Sequence, residues 1–392
     1  MYVEREIKTR FNKISENYGI VALVGARQSG KTTFLKRQMG RYKSSYVVFD
    51  DPDARELFDE DIKKFEMQYL EGYDVGILDE IQYCKDAGSK LKYLVDKGRK
   101  LWITSSSEIL LSGEVLSFLV GRATILRLYP FSYNEFLLAK GIKSLTSSIL
   151  KRSIWEHMEY GGYPKVVLAK DIEMKKTILR DLYETMLLKD ISKTFSIDDL
   201  STLEDLARYL SSSIGNVISY TDISNSLNIS FQTVKKYIDA MEKSYLVMRI
   251  SPYHTNVRKE ISKQLKIYFV DVGLRNVINR WSDRDGRLFE NYVFTELLKL
   301  GKKPKYWRKK SKLEIDFVVE HNNCIVSIEV KLQPDKAERS LRSFISQYKP
   351  KTAFIIGYNV DYKEENIDGC KIISSDIRSL YEYFSSKPDE IQ

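Results

Sequence analysis

With 392 residues the chain is too long for one ordinary hydrophobic core, so two or three domains are expected. A hydrophobic fraction of 43% beside 30% charged residues excludes a disordered chain, and no apolar run reaches the ~18 residues of a membrane span. The formal net charge of +9 favours a polyanionic partner. Three cysteines (Cys84, Cys324, Cys370) and three histidines (His157, His254, His321) are scattered without ligand spacing, which excludes a disulfide framework and a zinc site. The N-terminal residues carry charges where a signal peptide needs an apolar stretch, so a cytoplasmic location is expected.

In chain order, the apolar run at residues 21–24 predicts a buried strand. It leads into Gly25, Ala26, Arg27, Gln28, Ser29, Gly30, Lys31, Thr32 and Thr33, a complete G-x-x-x-x-G-K-T followed by a helix start. Glycines at both ends let the backbone curl so that successive N–H groups face the β- and γ-phosphates of a nucleoside triphosphate. Lys31 adds a cation, and the Thr32 hydroxyl can hold Mg²⁺. ATP and Mg²⁺ are therefore the expected cofactors.

Further strands are predicted at 46–49, 75–78, 101–104 and 124–128, alternating with helices as in a parallel α/β sheet. The third run ends in Asp79 and Glu80, where Asp79 can hold Mg²⁺ through water and Glu80 can polarise the attacking water. The strand at 101–104 runs into Ser105, Ser106 and Ser107, polar groups placed to sense the γ-phosphate. Gly121-Arg122 precedes the strand at 124–128, and Arg122 is a candidate arginine finger, in cis or in trans across a homo-oligomer interface.

From about residue 130 to 250 the spacing is helical. Residues 219–227 read as a short capped helix, 228–230 as a turn, and 231–246 as a longer amphipathic helix, a pattern resembling a winged helix-turn-helix. Gln232, Thr233, Lys235 and Lys236, at the start of the second helix, are types that contact phosphates and base edges of DNA.

Strands return at 266–270, 314–319, 325–330 and 352–356, with 251–254 as the expected domain boundary. The expected division is an ATPase domain at 1–140, a helical lid with winged helix-turn-helix at 141–252, and a C-terminal α/β domain at 253–392. In that last part Glu290 stands near the start of an amphipathic helix, Asp316 on one strand, and Glu329 and Lys331 two apart on the next, sharing a face. Acid, Asp, then Glu-x-Lys is the arrangement of the PD-(D/E)xK nuclease fold, which this region resembles. Glu290, Asp316 and Glu329 would then ligate Mg²⁺, and Lys331 would activate a water against a phosphodiester. Between helix and hairpin, residues 302–312 carry seven positive charges, with Lys309 and Lys310 beside Tyr306 and Trp307, suited to DNA phosphate neutralisation with base stacking or packing.

The strings GARQSGKTT at 25–33, VGILDEIQ at 75–82, WITSSS at 102–107, VGRATILRLYPFSYNEF at 120–136 and GGYPKVV at 161–167 occur in this order. Together they resemble the AAA+-type ATPases of bacteria and archaea that carry a C-terminal half of unknown role. The resemblance implies the paired acids in Asp79-Glu80-Ile81-Gln82 and the arginine of Gly121-Arg122. It also implies Ser106 as sensor, where the family usually shows Thr-Gly-Ser-Ser. The expected function is an Mg²⁺-dependent ATPase acting on DNA, with an endonuclease-like C-terminal domain. The alternative is a nucleotide-gated signalling or assembly ATPase whose C-terminal domain is an inactive interaction module.

Overall fold

A computed structural model describes residues 2–107, 121–254, 265–281, 286–332, 339–358 and 360–385. The first sheet is wholly parallel and runs in the order β2-β3-β4-β1-β5, from β1 (Ile20–Val24), β2 (Ser44–Val48), β3 (Val75–Asp79), β4 (Leu101–Ser105) and β5 (Ala123–Arg127). Every residue of β1, β3 and β4 is buried, because helices cover both faces and the strands can be apolar throughout. On one face Phe11 packs edge-on against Phe34 and Trp102, with centroids 5.1 and 5.0 Å apart. On the other, Phe49, Phe58 and Phe65 form a second aromatic cluster. The C-terminal ends of β1, β3 and β4 therefore lie side by side at one edge, where ligands bind in sheets of this kind.

The helical middle divides between two cores. Helices Tyr133–Lys140, Ser147–Tyr160 and Pro164–Leu168 pack on one another and on helices Val272–Ile278 and Gly286–Lys299, sharing a cluster with Phe289, Tyr292 and Phe354, while Val166 faces the first core. His157 is buried there, its Nδ1 3.1 Å from the Tyr292 hydroxyl and its Nε2 3.1 Å from the Phe131 carbonyl. Helix Ile172–Thr185, the π-helical turn Met186–Lys193, and helices Leu200–Ser212, Tyr220–Leu227 and Phe231–Lys243 pack instead on the nucleotide-sheet core. Tyr220–Leu227 ends at Asn228 in the left-handed region (φ 53°), and Ser230 then caps Phe231–Lys243 through the Thr233 N–H.

An antiparallel ribbon follows, β6 (Val247–Ile250) with β7 (Lys266–Phe269), extended by a bridge between Val217 and Lys266. The boundary expected at 251–254 thus falls between two paired strands, and β7 belongs by its hydrogen bonds with the helix-turn-helix. Asn291 reproduces a neighbouring strand's pairing for β7, accepting from the Phe269 N–H (2.9 Å) and donating to its carbonyl (2.8 Å).

The last sheet has the order β12-β13-β11-β10-β9-β8, from β8 (Lys305–Arg308), β9 (Glu314–His321), β10 (Cys324–Lys331), β11 (Thr352–Gly357), β12 (Lys363–Ile367) and β13 (Cys370–Ser375). Asn322 and Asn323, both at positive φ, close the β9–β10 hairpin, a backbone conformation asparagine tolerates well. Helix Gly286–Lys299 packs on β10 and carries ten buried residues. Among the described residues no helix is long and apolar enough to cross a membrane.

Candidate functional site

The turn after β1 is tight. A Cβ on Gly25 (φ 155°) would lie 2.2 Å from the Leu128 carbonyl oxygen, and Gly30 caps the next helix in the left-handed region (φ 101°). Helix Lys31–Met39 starts there, so its first N–H groups, which lack intrahelical partners, point into the turn. Lys31 is buried and donates to the carbonyls of Gly25 (2.8 Å) and Ala26 (3.0 Å). Burial lowers its pKa, opposed by Glu80, Asp190 and Asp79. Ala26 and Ser29 are buried, Arg27 is half-buried, and Gln28 and Thr33 are exposed.

Asp79 ends β3 facing this turn. Its carboxylate accepts from the Thr32 hydroxyl (2.9 and 3.1 Å), the Tyr46 hydroxyl (2.5 Å) and the Thr104 hydroxyl. Burial and the Asp79 charge raise the Tyr46 pKa, so the phenol remains a donor. Thr104 also accepts from the Glu80 N–H (2.9 Å), fixing Glu80 in the left-handed region at φ 58°. A non-glycine residue held there at a cost of about 1–3 kcal/mol is characteristic of working sites. Gln82 donates to the Glu80 carboxylate and to Ser106 Oγ (3.0 Å), so Glu80, Gln82 and Ser106 form one connected set. Lys31, Thr32, Asp79, Glu80 and Ser106 are thus gathered at one sheet edge.

Four residues to which the sequence reading gave no role complete the site. Thr104 and Tyr46 hold Asp79, and the place of Thr104 in the string at 102–107 was the available signal for it. Arg5 is buried and braces the turn from behind, donating to the carbonyls of Ser29 (2.8 Å) and Tyr129 (2.6 Å) and pairing with Glu135 at 3.0 Å. Asp190, on the π-helical turn, faces Arg27 at 3.4 Å.

Arg122 is not part of this constellation. It precedes β5 beside the N-terminal end of β1, its backbone carbonyl accepting from the Ile20 N–H, while the phosphate turn follows the opposite end. Five strand residues, about 16 Å, separate the two edges, so a role in cis is not supported by the geometry. Its side chain pairs with Asp96 at 2.7 Å.

In the C-terminal part, the acids stand where helix, hairpin and ribbon meet. Lys266 of β7, itself buried, places its ammonium 3.3 Å from Glu290 and 2.5 Å from Glu314, and the Tyr268 hydroxyl donates to Glu290 at 2.5 Å. Burial works against that ammonium, but Glu290, Glu314 and Asp316 outweigh it and raise its pKa. Asp316 accepts from the Val330 N–H (2.8 Å); burial and the nearby Glu290 charge push its carboxyl well above the usual range. Lys331 lies 3.4 Å from Glu329.

Among the described residues no group of three or more Asp, Glu, His or Cys side chains is disposed to hold a metal ion. Asp316 nevertheless feels the charges of both Glu290 and Glu329, the acids expected to share a metal with it. A divalent ion at Glu290 would compete with Lys266, which already pairs with Glu290 and Glu314.

Of the nucleic-acid candidates, Gln232, Lys235 and Lys236 are exposed, and Thr233 is half-buried with its hydroxyl engaged in the Ser230 cap. Lys236 donates to the Ser196 carbonyl (3.0 Å). In the basic run Tyr306 and Trp307 are both 3% exposed, so they serve the core and offer no stacking surface. Lys309 lies over the Trp307 ring and donates to Ser343 (2.9 Å), while Lys310 is exposed.

Residues 17–137 match the family described as AAA domain. Residues 151–285 and 285–375 match two families described as domains of unknown function (DUF8612 and DUF4143). An uncharacterized protein of Haemophilus influenzae is 28% identical, the match covering 90% of this chain and 92% of that protein. One from Methanocaldococcus jannaschii is 27% identical over 86% of this chain and 79% of its own length. Among solved structures, a Walker-type ATPase of Pyrococcus abyssi is similar at 14% identity, covering 71% of this chain and 96% of that one with a TM-score of 0.45. The AAA-domain match and the geometry at the strand ends agree on an AAA-type P-loop ATPase region.

Proposed function

We propose that the chain is an Mg²⁺-dependent ATPase that couples ATP turnover to DNA. The observation that carries the catalytic part is the Asp79 carboxylate, joined to Thr32, Tyr46 and Thr104, with Glu80 fixed beside it. Lys31 and the N–H groups of the 25–33 turn would hold the β- and γ-phosphates, and Thr32 with Asp79 would hold Mg²⁺, which offsets phosphate charge. Glu80 takes the proton of the attacking water, its carboxylate aimed by Gln82, while Ser106 stands at the γ-phosphate side. Arg122, on the far edge of the sheet, suits a neighbouring subunit's γ-phosphate, which implies a homo-oligomer.

Support for DNA comes from the helix-turn-helix with its antiparallel ribbon, the arrangement of a winged helix, which leaves Gln232, Lys235 and Lys236 exposed on one helix start. The C-terminal domain, on this reading, keeps a nuclease-like arrangement without its chemistry, because Lys266 replaces the metal. That same observation favours a second reading, an assembly or signalling ATPase with the C-terminal domain as interaction module. ATP turnover measured with and without duplex, branched and single-stranded DNA separates them. Stimulation supports the first; no response to any DNA, in a protein that hydrolyses ATP, favours the second.

A further inference from the structure

Helix Ile172–Thr185 continues without interruption into the π-helical turn Met186–Lys193. Such turns widen the helix locally, are uncommon, and recur at functional sites. Here the turn carries Asp190, which is 4% exposed although it faces the phosphate turn. Its Oδ1 lies 3.4 Å from Nη1 of Arg27, and its Oδ2 is buried with no hydrogen-bond partner among the described residues. A carboxylate kept away from water with one oxygen unused is unfavourable, and it persists only where something else requires it.

Arg27 belongs to the phosphate turn and is a quarter exposed, so its guanidinium can turn away from Asp190. Its pairing is long for a charge-assisted bond, and it also lies within hydrogen-bonding reach of Tyr83. Phosphate oxygens brought to this turn offer the guanidinium a stronger, bidentate partner. They also bring negative charge toward Asp190, which already feels Glu80. On its other side Asp190 is tied to the helix-turn-helix: its backbone carbonyl accepts from the Ser244 hydroxyl (3.2 Å), and Ser244 closes helix Phe231–Lys243.

The geometry points to Asp190 as a nucleotide-sensing positioning residue, which holds Arg27 until ATP phosphates compete for it and passes its own displacement through Ser244 to helix Phe231–Lys243. The elements of a two-state device are present: one cation with two alternative partners, and a single acid whose main chain is bonded to the responding helix. The inference needs only nucleotide binding at residues 25–33 and does not depend on DNA.

The test uses the full-length protein. Affinity for a non-hydrolysable ATP analogue is measured by calorimetry, and hydrogen exchange of residues 186–193 and 231–244 is followed with and without it. Asp190→Asn removes the competitor for Arg27 and a like charge, so it should bind the analogue about fivefold tighter, the scale of one partly exposed ion pair. The nucleotide-dependent change in exchange at 231–244, present in the parent, should disappear. Ser244→Ala leaves the Arg27 pair untouched and should retain parent affinity while losing the same exchange response. If Asp190→Asn does not fold, Ser244→Ala and Arg27→Gln carry the test, the latter expected to weaken binding about tenfold. Unchanged or weaker binding by a folded Asp190→Asn protein would overturn the proposal. So would an intact exchange response in Ser244→Ala.

Discussion

Replacing Thr104 with valine keeps the side chain's volume and shape while deleting one hydroxyl, and Thr104 is fully buried, so solvent cannot take its place. Two interactions go. The hydroxyl's donation to Asp79 is a bond to a charged group, worth about 1.5–3 kcal/mol, and the Glu80 N–H loses its acceptor at 2.9 Å, leaving a buried donor at about 1–3 kcal/mol. Asp79 keeps Thr32 and Tyr46, so its position should largely survive. Glu80 should not, because that contact fixes its left-handed backbone. The expected result is a loss of stability of roughly 2.5–6 kcal/mol, with kcat falling about 10- to 100-fold as the carboxylate loses its aim, and KM for ATP nearly unchanged. Urea unfolding and steady-state phosphate release measure the two effects on the same preparation. A stability loss of that size with kcat within twofold of the parent would refute the role assigned to Thr104, since the backbone at Glu80 would then be held by other contacts.

Other outcomes follow from the same geometry. Glu80→Gln should bind ATP normally but hydrolyse it at least about 100-fold more slowly, and mixing it with Arg122→Ala should restore turnover if the arginine acts across an interface; absence of rescue in a demonstrated oligomer would remove the trans role. The parent should neither nick nor cut DNA in Mg²⁺ or Mn²⁺, and Lys266→Met should destabilise it by about 3–5 kcal/mol by leaving acids unpaired; cleavage by the parent that Asp316→Ala abolishes would show that the metal chemistry survives. Burial and the nearby Lys299 charge lower the His157 pKa from 6.5 to about 3. The neutral ring is therefore favoured in the folded state, and its contribution to stability should be lost progressively as pH falls below about 6.5; the urea midpoint of His157→Gln should depend less steeply on pH between 6.5 and 4.

The sheet that carries the nucleotide site is legible in the sequence because β1, β3 and β4 are buried on both faces and read as unbroken apolar runs. The residues of the phosphate turn act through their own backbone, so their pattern survives without knowledge of neighbours. Strands β6, β8, β12 and β13 escape for local reasons: β8 lies inside the basic run, and the edge strand β12 has an exposed, charged sequence. Tyr46, Thr104, Arg5 and Asp190 act through contacts between distant segments, which no single window contains. The π-helical turn is equally silent, since its sequence has ordinary helical spacing. Lys266 shows the converse case. The pattern of Glu290, Asp316, Glu329 and Lys331 can be read along the chain, but nothing in it announces the lysine from an earlier strand that pairs with Glu290.

The division of the helical middle between two cores bears on how the chain comes off the ribosome. Helices Tyr133–Lys140, Ser147–Tyr160 and Pro164–Leu168 emerge long before Tyr381 and Phe384, with which they share a core. At about 5–20 residues per second, these last partners follow roughly ten to forty seconds later. Meanwhile the nucleotide sheet can close with helices Ile172–Thr185 and Phe231–Lys243, which follow them in sequence. The surface these helices turn toward Tyr381 and Phe384 therefore stays uncovered between two folding events, a delay during which a holdase chaperone would limit aggregation.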